Sequence, residues 1–492
     1  MEKDKRSILG VNMLFNVLKT VVSVMAPLIT YSYVTRILGV ENIGKANFVT
    51  SVISYFQLIA SLGIVNYAIS EGAKIKLHKP EFNKFGTEIF TFNLFTTLMA
   101  YFLLIITLAV VKPLFAYRSL LLISSISMAF VCIGMEWLYG AMEEYKYISI
   151  RSMLLQVLDV ALILFFVKDP QDLSLYVFIL IIPVVVAGII NYVRKKAFIN
   201  FEWKELSIKD ISKHVKPTVI IWGMSIASAI YINSDTIMLT LLKGDASSGL
   251  YSVATKSSHV ICLIFAAICT VLLPKLSSLY VSEDKAEFSS IVEKVFAYLL
   301  MFVFPVTAGL FMLSKEAVLL LGGESFLAAV PTAKIMAINV LLSPINGLMA
   351  SQIFIPMGKQ NISLYATSMG AIANVVLNIF LIPCFGINGA AFTTIFAEAI
   401  VFVYSFHFVR TFFDWKKLVM PVLQYSMGSF FIVVSIAVIS LVFREPTIIG
   451  TLCKVLVSVV VYLVFLNLIN NRYYIDVKIF VKNLLKKRGL VK

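Results

Sequence analysis

The chain has 492 residues, of which 60% are hydrophobic and only 14% charged, with a mean hydropathy of +0.92 and a formal net charge of +15. A soluble fold cannot bury that much apolar surface, and the polar residues fall in short intervals between long apolar runs. The composition therefore excludes a soluble domain and predicts a polytopic membrane protein. Only helices or closed barrels satisfy every backbone polar group inside a bilayer. The runs here reach about 20 residues or more without strict alternation, which selects helices over barrel strands.

Fourteen spans are expected, at about 8–38, 43–70, 86–111, 117–139, 148–168, 174–194, 217–242, 247–273, 291–313, 333–355, 361–383, 388–409, 419–443 and 447–469. The first opens after Met-Glu-Lys-Asp-Lys-Arg with no small-residue cleavage site, so it reads as a retained helix rather than a signal peptide. The even count puts both termini on one side. Connections on that side carry 30 of the 42 lysines and arginines, those on the other face carry 8, and Lys19, Lys256, Lys334 and Lys454 fall within spans. The positive-inside rule then predicts cytoplasmic termini in a plasma (inner) membrane, and makes much of the net charge an orientation signal instead of a nucleic-acid surface.

One stretch recurs. Gly39–Lys45 has the Gly-x4-Gly-Lys spacing of a phosphate-binding loop, but Ala46 stands where a magnesium-binding hydroxyl is needed. Gly244–Gly249 repeats Gly-x4-Gly 205 residues later without the lysine, and both copies join two apolar runs. A nucleotide loop has no reason to recur between membrane spans, whereas a tight turn in a duplicated transporter does. Six spans intervene, so the halves keep one orientation, as parallel repeats do. The expected organisation is a six-helix bundle over 1–200, a cytoplasmic linker with a short interfacial helix at 201–216 and a second six-helix bundle over 217–412. Two added helices over 413–470 and a basic amphipathic cytoplasmic tail at 471–492 complete it.

Ionisable residues inside a bilayer are costly and usually face a bundle interior or an aqueous cavity. Asp159 and Glu398 lie near the middles of spans five and twelve, and Asp235 follows Asn233 and Ser234 in span seven. Each carboxylate either pairs with a lysine to hold helices together or binds a proton or sodium ion. Lys256 lies deep in span eight, Lys19 is within snorkelling reach of the headgroups, and Arg36 ends span one. Pro27, Pro183, Pro305 and Pro344 interrupt helices at candidate hinges. No catalytic constellation, cofactor motif or metal site is visible. His78, His214, His259 and His407 are dispersed, and the five cysteines (132, 262, 269, 384, 453) read as buried small side chains without disulfides. Every connection on the less basic face is short, which disfavours a polymerase or glycosyltransferase.

Several ordered segments resemble bacterial polysaccharide flippases of the multidrug, oligosaccharidyl-lipid and polysaccharide exporter superfamily. They are Pro27–Gly44 running on into Tyr55-Phe-Gln-Leu-Ile-Ala-Ser-Leu-Gly63, then Glu136-Trp137-Leu-Tyr-Gly with Glu143 and Tyr147. Asp235-Thr-Ile-Met-Leu, Gly249–Lys256, Pro274–Ser277 and Asn378 through Pro383, Gly386 and Gly389 to Glu398 follow. The resemblance runs from about residue 8 to 410. It implies a V-shaped pair of six-helix bundles working by alternating access on an oligosaccharide joined through diphosphate to a polyprenyl lipid. An ion gradient of H+ or Na+ would drive it, beside other polysaccharide assembly proteins. A diphosphate in a low-dielectric cavity needs cations, for which Lys19, Arg36 and Lys256 are the candidates. A neutral glycan needs hydroxyl, amide and aromatic walls, for which Asn12, Asn16, Asn233 and Tyr251 are the candidates. Asp235, Asp159 and Glu398 are the ion-coupling candidates. A drug or organic-cation antiporter of the same fold is the alternative, and its site should be dominated by carboxylates.

Overall fold

The computed structural model describes residues 2–203, 206–270, 273–281, 285–412 and 415–487, without the side chains of 2–25 and of a few positions bordering the gaps. Among the described residues there is no strand. The all-helical, membrane-crossing architecture follows the composition directly.

The helices of the first unit (residues 1–252) are α1 (Glu2–Ser61), α2 (Ile64–Ile75), α3 (Lys79–Val110), α4 (Arg118–Gly134), α5 (Glu136–Ala141), α6 (Tyr145–Phe166), α7 (Leu173–Arg194), α8 (Ile208–Ser212), α9 (Val215–Lys243) and the start of α10 (Asp245–Thr270). Here α4 packs on α7, and α1 packs on α3, α6 and α9. The second unit continues with α11 (Leu273–Val281), α12 (Lys285–Met312), α13 (Ser314–Gly322), α14 (Val330–Ala337), α15 (Asn339–Leu348), α16 (Gln360–Val409), α17 (Trp415–Val442), α18 (Ile448–Leu468) and α19 (Arg472–Lys487). Its core is formed by α12, α15 and α17, with α18 on α17. The compact units divide at 252/253, so that α9, which packs on α1 and α2, belongs to the first unit.

Among the described residues eleven helical runs are long and apolar enough to cross a membrane, or twelve if the bent pair Glu324–Ala337 and Asn339–Phe354 is one span. Fourteen were expected. Two of the runs, Ala26–Ile75 and Gln360–Phe412, are 50 and 53 residues long and each covers two expected spans. At about 1.5 Å per residue such a run is more than twice the hydrocarbon thickness. Each is broken at a glycine with positive φ, Gly39 (φ 74°) or Gly386 (φ 55°).

Large apolar side chains such as Phe102, Phe380, Leu456 and Leu468 are exposed, as a lipid-facing surface requires. The cysteines do not share one environment. Cys132 is buried and Cys262 and Cys453 partly so, while Cys384 is exposed beside exposed Phe385 on the outward face of α16; the Cys269 side chain lies outside the described residues.

The Glu136–Tyr147 motif is structural. Arg151 on α6 donates to Glu136 Oε1 (3.0 Å) and to Asn191 Oδ1 on α7, Tyr147 donates to the same amide oxygen (2.9 Å), and Tyr139 donates to the Asn191 carbonyl. These bonds bind α5, α6 and α7 together at the end bearing the basic connections. In the second unit Lys454 of α18 pairs with Glu316 of α13 at 2.7 Å, both largely buried.

Candidate functional site

The two Gly-x4-Gly stretches turn the chain in the same way. Gly39 has φ 74°, ψ 178° and Gly244 has φ 87°, ψ 171°. This backbone region is essentially closed to residues with a Cβ. The turns also meet. A Cβ on Gly44 would overlap the Asp245 carbonyl and lie 3.1 Å from Gly249 N, while a Cβ on Gly249 would overlap the Val40 carbonyl and lie 3.2 Å from Gly44 N. Shifted by 205, residue 40 becomes 245 and residue 44 becomes 249, so the contact is self-complementary between the repeat copies. Tyr117 OH donates to Asp245 Oδ1 (2.6 Å) and its ring packs on Phe48, which steadies the same junction. Lys45, at the position of a phosphate-loop lysine, pairs instead with Glu41 (2.8 Å) on the surface.

At its other end α9 again meets a glycine. Gly63 has φ 70°, and a Cβ there would come within 2.5 Å of the Thr218 carbonyl oxygen and 2.9 Å of Trp222 N. Trp222 Nε1 donates to the Leu58 carbonyl (2.8 Å). Between these two closures the first unit holds a cavity of about 640 Å³, walled by α1, α2, α4 and α9. Its polar wall is Ser54, Gln57, Ser61, Asn66, Ser225, Ser228 and Asn233, and among the described residues none that lines it is ionisable. The hydroxyls of Ser54, Ser61 and Ser225 donate to carbonyls one turn back in their own helices, which leaves oxygen lone pairs available to a ligand. Gln57 is oriented by donating to Ser127 Oγ (2.8 Å). A volume of this size is ordinary for a ligand site, which spans about 300–1,000 Å³.

The structure brings one sequence candidate, Asn233, into this wall. Tyr251 is buried and donates to Asp235 Oδ2, so these two candidates are partners of each other across α9 and α10. Arg36 is exposed and donates to Ser32 of its own helix. Lys256 is partly buried in the second unit. Glu398, 6% exposed, accepts from the Asn346 amide. Asp159 is half-buried on α6, and its Oδ1 has no hydrogen-bond partner among the described residues. The side chains of Asn12, Asn16 and Lys19 lie outside the described residues. No group of three His, Cys, Asp or Glu side chains suited to a metal occurs among the described residues.

Sequence reasoning missed Gln57, Ser61, Asn66 and Ser225 as site residues. For Gln57 and Ser61 the signal was a polar stripe with Ser54 on one face of an apolar helix, running into the Tyr55–Gly63 segment that carries part of the family resemblance.

Comparison with known proteins agrees with this geometry. A family profile described as "Polysaccharide biosynthesis protein" matches residues 9–280. An uncharacterized membrane protein of Methanocaldococcus jannaschii is 29% identical over 241 residues, 48% of this chain and 46% of that one, so the chain spans about half the length of that relative. A protein of Shigella dysenteriae provisionally named an O-antigen transporter is 22% identical over 386 residues, 78% of this chain and 96% of that one. The solved structure of the lipid II flippase MurJ in an inward closed conformation superposes with a TM-score of 0.76 at 17% identity, covering 94% of this chain and 99% of that one. The chain belongs to the polysaccharide biosynthesis protein family, and it shares its fold with the solved lipid II flippase structure.

Proposed function

We propose that the chain is a flippase moving a polyprenyl-diphosphate-linked oligosaccharide from the cytoplasmic to the outer leaflet of a plasma membrane by alternating access. The observation that carries this reading is the uncharged wall of the cavity in the first unit. Sugar hydroxyls both donate and accept, and serine hydroxyls with Asn and Gln amides match them in both senses. An organic cation would need a carboxylate, and among the described residues none lines this cavity, which sets the antiporter reading second.

The cavity lies between the middle of the unit and the end carrying the basic connections, while the glycine turns close the opposite end. On this reading basic loops mark the cytoplasm, so the cavity lies on the cytoplasmic side of the unit, behind the Gly63–Thr218 closure. The diphosphate is assigned to Lys19, Arg36 and Lys256, and the glycan to Asn233 with Gln57 and Asn66. Tyr251 is then a partner for Asp235 and not a sugar contact. Among the carboxylates, Asp159 is the first choice for a coupling proton or sodium ion, because Asp235 and Glu398 already accept from neighbours. The six-plus-six repeat, with cytoplasmic termini and the 413–470 helices as an addition, is part of the same reading.

The test is translocation of a polyprenyl-diphosphate oligosaccharide in proteoliposomes, scored by access of an added glycosidase to the sugar. Gln57→Leu with Asn66→Leu should abolish translocation while the protein still inserts and accumulates, and Lys256→Ala should do the same. Normal translocation by the double variant removes the cavity from the mechanism. Transport of cationic dyes by the purified protein establishes the antiporter reading instead.

A further inference from the structure

A buried polar cluster lies at the start of α9, away from the cavity wall. Glu88 on α3 is 1% exposed and His214, immediately before α9, is 2% exposed. Glu88 Oε2 is bonded by His214 Nε2 (2.9 Å) and by Lys213 Nζ (2.9 Å). Tyr67 OH of α2 lies 2.8 Å from His214 Nδ1, and the rings of Tyr67 and Phe85 close on the imidazole edge-on, each with centroids 5.5 Å away. Glu88 Oε1 is buried with no hydrogen-bond partner among the described residues. Buried acceptors are satisfied with few exceptions, so a nearly inaccessible carboxylate held through one oxygen alone is poorly compensated and depends on the charge of its two partners.

The neutral arrangement has a single consistent assignment. Nε2–H donates to the carboxylate, Nδ1 accepts from Tyr67, and the Lys213 ammonium balances the Glu88 charge. We propose that Glu88, His214 and Tyr67 form a proton-binding site that governs the docking of α9 on α2 and α3. A proton arriving from water adds to His214 Nδ1, and Tyr67 turns from donor to acceptor. The cluster then holds two cations against one carboxylate oxygen. Lys213 is the one that leaves, since its side chain is 52% exposed and Asp210 is already 4.0 Å away. The ionisable groups that act on His214 are Glu88 from α3, Tyr67 from α2, Asp210 from α8 and Lys213 just after it, with Lys84 of α3 paired to Asp210 and Glu71 of α2 near Tyr67.

Two observations carry the effect into α9. The Thr218 hydroxyl donates to the His214 carbonyl (2.8 Å), and the Thr218 carbonyl is the group packed against Gly63. One turn further on, Trp222 bonds Leu58 and Ile221 lines the cavity. Burial holds the imidazole below its ordinary range and the Glu88 carboxylate opposes that shift, so the site loads under acidic conditions. The inference concerns a proton and a helix docking, and its readouts involve no cargo. It therefore stands or falls separately from the flippase reading.

The experiment uses the full chain in lipid nanodiscs with isotope-labelled histidine and 5-fluorotryptophan. There are 4 histidines and 4 tryptophans, so His214 and Trp222 signals are assignable from single substitutions. His214 should titrate below the ordinary histidine range, and the Trp222 fluorine signal should move with the same midpoint. His214→Gln, which keeps a donor to Glu88 and an acceptor for Tyr67, should abolish the Trp222 movement. Glu88→Gln should lower the His214 midpoint by about one pH unit or more through loss of the adjacent opposite charge. Tyr67→Phe, which removes both the donor to the neutral Nδ1 and the acceptor for the new Nδ1–H, should move the His214 and Trp222 midpoints together and serves as the second variant if His214→Gln does not fold. A Trp222 signal that stays still while His214 titrates, or that still moves in His214→Gln, overturns the proposal.

Discussion

Gly249→Ala is the most incisive perturbation of the paired turns. The added methyl would overlap the Val40 carbonyl oxygen and sit 3.0 Å from its carbon and 3.2 Å from Gly44 N, all backbone atoms that cannot rotate aside. Relief requires the two helix ends to separate. Forcing a methyl into a closed packing costs about 1–3 kcal/mol. The alanine also favours its helix by about 1 kcal/mol, but it does so whether or not the ends touch, so that gain cancels. The balance between touching and separated ends should therefore shift about 5- to 150-fold toward separation. Spin labels at Glu41→Cys and Ala246→Cys, repeat-related and both exposed, in a background lacking the native cysteines, report the separation as a distance distribution. A distribution in Gly249→Ala that matches the parent would show that this contact does not hold the ends together.

Further expectations concern other parts of the molecule. Gly39→Val places a β-branched residue at φ 74°, a strain of about 1–3 kcal/mol, whereas Lys45→Ala loses only a surface ion pair worth about 0–1 kcal/mol. In the translocation assay the valine variant should be much the more impaired, and equal defects would return Lys45 to the mechanism. Lys454→Met strands the buried Glu316 and should cost about 3–5 kcal/mol, while Lys454→Met with Glu316→Leu should unfold near the parent temperature. For His214, the depressed value in the fold means that the unfolded chain binds its proton first as pH falls. Its stabilising contribution is thus complete above about pH 6.5, the ordinary histidine value, and is lost as pH falls toward the depressed value in the fold. Unfolding temperatures measured across that range should fall for the parent and flatten for His214→Gln.

The helical membrane architecture and the paired glycine turns were legible because both depend on local signals: runs of apolar residues, and a backbone conformation that admits only glycine. The breaks at Gly39 and Gly386 fall in the gaps left between the expected spans 8–38 and 43–70 and between 361–383 and 388–409, although the helical runs continue on both sides of each glycine. The cavity wall was written in plain view as Ser54, Gln57 and Ser61, but a hydroxyl that bonds its own helix gives the same pattern when it faces another helix. Asp235 and Tyr251 could not be recognised as partners from composition, although 16 residues separate them across one turn. Glu88 and His214 stand 126 residues apart, and nothing in either neighbourhood announces the other. The linker did contain its predicted short helix, Ile208–Ser212.

The meeting of Gly44 with Asp245 and of Gly249 with Val40 has a consequence for ancestry. Contacts that exchange under a two-fold operation are the mark of an interface between identical chains. A half-length ancestor with one Gly-x4-Gly stretch could have formed this contact with a second copy of itself, one codon serving both sides. Fusion of two such copies would separate the two glycines into independently mutable positions, so that either could be lost alone. The lysine that follows only the first copy, and the aspartate that replaces valine only in the second, are differences of the kind that an unfused dimer could not have acquired on one side.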